Sequence, residues 1–184
     1  MHISAWHGPP SDVLGHPVPI QQFVVRTDHV VVALQQLVAF PEGCAFSVQV
    51  AVRRGSLDAS VWRELIESGT GGDPRDTSAD TGPEFGVCFA DGSKATTADR
   101  TVRSRVQPAS LLIETDSQTS SNDQLYTSDR RLWLWPLPSS GPFEFVVEWQ
   151  RMGIDATSTT LDGSAVVSAA EQAQPYWPAT PSTY

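Results

Sequence analysis

Past residue 29 the chain contains no histidine; all four, His2, His7, His16 and His29, lie near the N-terminus. None forms an HxH or HExxH pair, so a cupin-type or zincin centre lacks its ligands, and neither metal nor cofactor is expected. No Gly-x-Ser-x-Gly elbow is present to carry a nucleophilic serine. The one lysine is Lys94, and the GTGG fragment at 69–72 lacks the Lys-Ser/Thr that a phosphate loop needs. Positive charge is scarce: 12 Lys and Arg against 21 Asp and Glu leave a net charge of −9, which argues against nucleic acids and anionic membranes as partners. The basic pairs Arg53-Arg54 and Arg130-Arg131 read as strand edges or rims. No apolar run approaches the ~20 residues that span a bilayer. The start, MHISAWHGPPSDVLG, has neither the cationic opening nor the apolar stretch of a secretion signal, so a cytoplasmic protein is expected. There are two cysteines, Cys44 and Cys88, both in strand-like apolar runs. In a reducing compartment they read as free buried thiols, with a disulfide between facing sheets as the alternative.

What the sequence does contain is β-forming material. Residues 1–19 carry Pro9, Pro10, Pro17 and Pro19 and read as an extended arm, neither helix nor interior strand. Residues 20–174 are expected to form one domain, and the proline-punctuated 175–184 an extended tail. Valine-rich runs at 20–27, 29–40 and 45–54 read as strands. In the last, Phe46, Val48, Val50 and Val52 alternate with Ala45, Ser47, Gln49 and Ala51, as in a strand with one buried face. A short helix is expected over about 57–68, with Asp58 as N-cap and Val61, Trp62, Leu65 and Ile66 as its apolar stripe. A second is expected over about 162–174, stopped by Pro175. Asp91-Gly92 signals a hairpin. Residues 109–116 read as a strand, 117–129 as a polar mobile segment, and 69–83 as a loop without periodicity. Asp73, Asp76 and Asp80 in that loop do not have EF-hand spacing. Strands that do not alternate with helices indicate a mainly β fold, an antiparallel β-sandwich or jelly roll with two short helices.

Three of the six tryptophans lie in RRLWLWPLPSSGPFEFVVEWQ, residues 130–150. Its two apolar runs are expected to pair as a hairpin across LPSSGP. The second run buries Phe143, Phe145, Val147 and Trp149 and leaves Glu144 and Glu148 wet. The first is apolar on both faces, so hairpin register decides whether Trp133 and Trp135 join the core or stand as an aromatic platform. The motif WLWPLP, then Gly141-Pro142, Glu148-Trp149 and Gly153-Ile154, with a short helix and Trp177-Pro178 after it, resembles a segment of small uncharacterised bacterial proteins. The resemblance covers roughly the last 55 residues and implies no activity, cofactor or site residue.

These features favour a non-enzymatic binding or assembly module acting through protein–protein contact or self-association, with Trp6 and Trp177 on the terminal straps as contact residues. One alternative is a small-molecule or carbohydrate binder using Trp133 and Trp135. Another is a carboxylate enzyme. There, Glu144 and Glu148 stand roughly 13 Å apart along one strand, beyond the about 5–9.5 Å of glycosidase pairs.

Overall fold

The protein is described here from a computed structural model, in which residues 5–69, 82–98 and 108–177 are placed well enough to describe. After a 3₁₀ turn at Ala5–His7 come the strands β1 (Val13–Leu14), β2 (His16–Val18), β3 (Gln22–Arg26), β4 (Val30–Ala39) and β5 (Cys44–Arg53). Helix α1 (Ala59–Gly69) precedes β6 (Glu84–Cys88), β7 (Lys94–Thr96), β8 (Leu111–Ser121), β9 (Leu125–Trp135) and β10 (Pro142–Trp149). A 3₁₀ turn at Gln150–Met152 leads to β11 (Ile154–Asp162), helix α2 (Gly163–Ala170) and β12 (Gln174–Pro175). All pairings are antiparallel, so the chain is mainly β and sandwich-like, with two helices. Among the described residues no helix is long and apolar enough to cross a membrane.

The larger sheet has the order β2-β4-β5-β9-β8, and β3 also pairs with β4. Strands β2 and β3 share one edge: β2 meets Leu37–Ala39 and β3 meets Val31–Leu34. Pro17 and Pro19 lack the N–H a ladder needs, which confines this stretch to an edge. Strand β4 reads VVVALQQLVA, and its apolar phase breaks at Gln35-Gln36. A bulge between Leu34 and Gln36 absorbs the break, so Val30, Val32, Leu34, Leu37 and Ala39 all face inward. The smaller sheet has the order β11-β10-β6-β7. Between the sheets, Phe145 of β10 lies 5.2 Å from Phe46 of β5 and 6.0 Å from Phe85 of β6, ring to ring. The alternation of β5 and β10 is thus realised: Phe46, Val48, Val50 and Val52 meet Phe143, Phe145, Val147 and Trp149 in one core.

The hairpin expected over 130–150 does not form. Strand β9 pairs with β5 and β8, and β10 pairs with β6 and β11. LPSSGP is a corner between sheets. Alternation marks a buried face but carries no information on which strand lies next to it. With Leu132 and Leu134 inward and Trp133 outward, β9 is an internal strand whose partner, β5, is remote in sequence. The corner is held by Leu137 N–H donating to the Glu42 carbonyl (2.9 Å) and by α2, whose Gly163 sits against it. A Cβ on Gly163 would lie 2.1 Å from the Ser139 carbonyl oxygen, so the close approach requires glycine.

Three further expectations change. Residues 117–129 are the tip of the β8–β9 hairpin and no mobile loop. The turn is built by Asn122, whose side-chain oxygen accepts from Gln124 and Leu125 N–H (2.9 Å each). Most of β8 beyond Glu114 is exposed on both faces, which leaves no hydrophobic alternation to read. The arm is partly ordered structure: β2 joins the sheet edge and β1 pairs with β12. Helix α2 ends at Ala170 rather than 174, because Gln174 and Pro175 are taken by β1. Pairing there overrides the helix propensity of AEQAQ. Helix α1 forms where expected, and the loop expected at 69–83 lies almost wholly outside the described residues. The first helix is capped by Asp58 as expected, Ser60 N–H donating to its carboxylate, and Asp162 caps the second in the same way by accepting from Ser164 N–H (2.8 Å each). Asp91-Gly92 sits in a three-residue hairpin loop with Gly92 at φ 84°.

Phe145→Ala should cost about 3–5 kcal/mol in denaturant unfolding, and Asp162→Ala about 1 kcal/mol. The hydroxyl and then the backbone N–H of Ser60 hold the Asp58 carboxyl below its ordinary range, and Ser93 does the same for Asp91. Groups depressed in the folded state stabilise above the ordinary carboxylate range and lose that contribution as pH falls through their lowered values. Asp58→Asn with Asp91→Asn should therefore flatten the acid limb of a thermal-stability profile and leave the shape near pH 7 unchanged.

Candidate functional site

Trp133 lies on the outward face of the larger sheet, opposite Ala45 on β5 and Ile113 on β8. It is nevertheless fully buried. The N-terminal 3₁₀ turn roofs it: the indole N–H donates to the Ala5 carbonyl at 3.0 Å, and the Phe40 ring meets it edge-on at 5.7 Å. Gly43 makes room for the ring, since a Cβ there would stand 2.5 Å from an indole carbon and from the Leu134 carbonyl oxygen. The platform reading is therefore corrected for Trp133, which is closed to any ligand while the arm is in place. Trp135, two residues on, is half-buried opposite Leu111. Trp6 is half-buried in the roofing turn, its ring 3.7 Å from that of His7.

Trp177 is 73% exposed, edge to face with Tyr176 at 5.9 Å. Both follow β12, which pairs with β1 in a two-stranded ribbon joining the chain's arm to its tail. Tyr176 N–H extends the ribbon by donating to the Asp12 carbonyl at 2.8 Å. Alternation then puts Leu14 and Tyr176 on one face as diagonal neighbours. Leu14 is 60% exposed and Tyr176 54%. Among the described residues, three of the five exposed large hydrophobic side chains thus gather on a ribbon of a few residues. Sequence reasoning reached Trp177 from its proline-rich setting but missed Leu14, because pairing of the two termini left no sequence signal.

The catalytic candidates remain apart. Glu144 and Glu148 stand on the outward face of the smaller sheet, where Glu144 accepts from the Ser158 hydroxyl (3.2 Å) and Glu148 from the Gln150 amide (2.5 Å). Cys44 and Cys88 are free; Cys44 is buried, and burial pushes its thiol pKa far up. Cys44 and Arg53, which bonds His29, sit at opposite ends of β5, nine residues or roughly 30 Å apart. His29 does meet a hydroxyl, Ser56, at 3.2 Å, but its buried Nδ1 has no partner. A nucleophile–base pair needs that nitrogen held by an acceptor, so this contact lacks its third member. Among the described residues no three His, Cys, Asp or Glu side chains converge to hold a metal; Asp73, Asp76 and Asp80 lie outside them.

A groove of about 880 Å³ crosses the outward face of the larger sheet, from the β2–β3 link to β8. Its residues come from β2 and the β2–β3 link, from the β4–β5 pair and from the β8–β9 pair, so no local pattern exposed it. A scan of family models, a search of curated proteins and a search of solved structures each find no match to this chain.

Iodide should quench Trp177 emission strongly and leave Trp133 and Trp149 protected; loss of the quenchable fraction in Trp177→Phe checks the assignment. Gly43→Ala should lower unfolding stability by about 1–3 kcal/mol through the forced shift of Trp133. A buried thiol whose pKa is raised stabilises fully below the ordinary thiol range and loses that contribution as pH rises through and beyond it. Cys44→Ala should therefore weaken the alkaline fall in thermal midpoint, and Ellman's reagent should label Cys44 only on unfolding.

Proposed function

We propose that this protein is a non-enzymatic binding module that contacts a partner protein through its terminal ribbon. The observation that carries this reading is that Leu14, Tyr176 and Trp177, all largely exposed, lie together on one short ribbon made by residues 12–14 and 174–177, with Leu14 and Tyr176 on one face and the Trp177 ring against Tyr176. Aromatic residues of this kind supply much of the energy of protein interfaces, because they bury large area at low entropic cost. Isolated exposed apolar residues are ordinary, whereas a cluster rimmed by polar groups marks a contact site. Here the rim is acidic, with Asp12 and Glu171 both exposed nearby in sequence. An acidic rim on a chain of net charge −9 favours a partner with basic residues around an apolar pocket. The same charge disfavours a second copy of this chain, and nucleic acid does not suit so acidic a surface.

A photo-crosslinking residue at Leu14 or Trp177, introduced in the cells that make the protein, should trap one discrete adduct. The same residue at Lys94, on the smaller sheet, should not. An adduct at twice the chain mass would replace the partner protein with a second copy. Folded protein that forms no adduct at either ribbon position would overturn the reading.

A further inference from the structure

The groove on the larger sheet is ordered by strand register. One row across four strands runs Gln36 (β4), Ser47 (β5), Arg131 (β9) and Asp116 (β8), each directly opposite the next. The neighbouring row runs Gln49, Asp129 and Gln118. Gln35, the residue extruded by the β4 bulge, joins it through a 2.9 Å amide hydrogen bond to Gln49. Strands stand about 4.8 Å apart and successive rows roughly 7 Å apart, so this surface is a lattice of polar side chains roughly 14 Å long. Its volume of about 880 Å³ falls within the roughly 300–1,000 Å³ typical of small-ligand sites. At one end the lattice meets β2 and the β2–β3 link, where Pro17, Pro19 and Ile20 give the groove an apolar wall.

The chemistry of the lattice is mixed in a particular way. Arg131 only donates, Asp116 and Asp129 only accept, and the glutamines and Ser47 do both. Among the described residues, the side chains of Arg131, Asp116, Asp129, Gln36 and Gln118 form no hydrogen bond or ion pair with one another, although Arg131 and Asp116 are opposite in register. Their hydrogen-bonding capacity is open to the groove. The other arginine of the pair is committed elsewhere. Arg130 also borders the groove, but its guanidinium is turned between the sheets, where its charge is paired with Glu114 at 2.9 Å and lies over the Phe85 ring at 6.0 Å. One cation against two carboxylates gives no surplus positive charge for an anion. Arg131, placed between the carboxylates, works against a cation. What remains is a neutral ligand with many closely spaced hydroxyl groups and some apolar C–H surface.

We infer that this groove binds a short neutral oligosaccharide. Sugar hydroxyls satisfy the interleaved donors and acceptors, and ring C–H faces lie on the Pro17–Ile20 wall. The site shares no residue with the terminal ribbon, so the two surfaces are tested separately.

Isothermal titration with maltotriose, cellotriose, chitotriose and mannotriose, each against wild type, Arg131→Gln and Asp129→Asn, tests the assignment. At least one trisaccharide should bind saturably. Each variant should weaken that binding at least about tenfold, as loss of a hydrogen bond to a charged group does. The thermal midpoint should stay unchanged, since both side chains are at the surface. Tetraglycine should not bind. Absence of binding for all four sugars, binding indifferent to both variants, or equal binding of tetraglycine would overturn the inference, the last in favour of an extended peptide.

Discussion

The contact on which this structure depends is the one between Phe46, Phe145 and Phe85, where side chains from both sheets meet at ring separations of 5.2 and 6.0 Å. Strands β5 and β10 are each buried along one face, and these rings are where the two faces are pressed together. Each sheet alone would leave its apolar face in water; together they exclude it, and the favourable term scales with the area removed. Once the inner faces are fixed in this way, period-two alternation fixes the outer faces as well. Ser47, Gln49, Asp129 and Arg131 are turned outward because Phe46, Val48 and Leu132 are turned in. The polar lattice of the larger sheet is thus the reverse side of the core.

The outward face of that sheet is treated differently at its two ends. Around Ser47 and Arg131 it is open and polar. Two residues further along β9, Trp133 would present a large apolar ring to water, and the chain covers it with its own N-terminal turn. The cover is specific: the indole N–H, which would lose water on burial, is satisfied by the Ala5 carbonyl. The same arm continues into β1 and is tied to the tail by β12. Roofing a tryptophan and exposing Leu14, Tyr176 and Trp177 are consequences of one path of the chain, which brings both termini to one ribbon.

Much of the fold was legible from residue pattern. The phase of β5, the Asp58 cap, the Asp91-Gly92 turn and the inward set Phe143, Phe145, Val147 and Trp149 follow from interactions within a few residues of one another. Two of the failures share a cause. The 130–150 hairpin, the mobile reading of 117–129 and the overlong second helix were all inferred from neighbours in sequence. A distant strand decided two of these, β5 for Trp133 and β1 for Gln174; at 117–129 the next strand, β9, pairs with a half of β8 that carries no hydrophobic alternation to read. The bulge at Gln35-Gln36 is intermediate. Its phase break is visible in VVVALQQLVA, but that both glutamines face a groove depends on Ser47 and Arg131 lying beside them.

The sequence by itself determined which side chains must be hidden, since alternation and capping are set by local backbone geometry and by the cost of leaving apolar groups in water. It also set the acidic character that narrows the choice of partner. Only the tertiary structure decided which strands lie side by side, and therefore which outward residues form a row, which tryptophan is roofed and which terminal residues meet. Pairing of remote strands uses backbone hydrogen bonds that nearly every residue offers alike, so it leaves little trace in the order of the side chains.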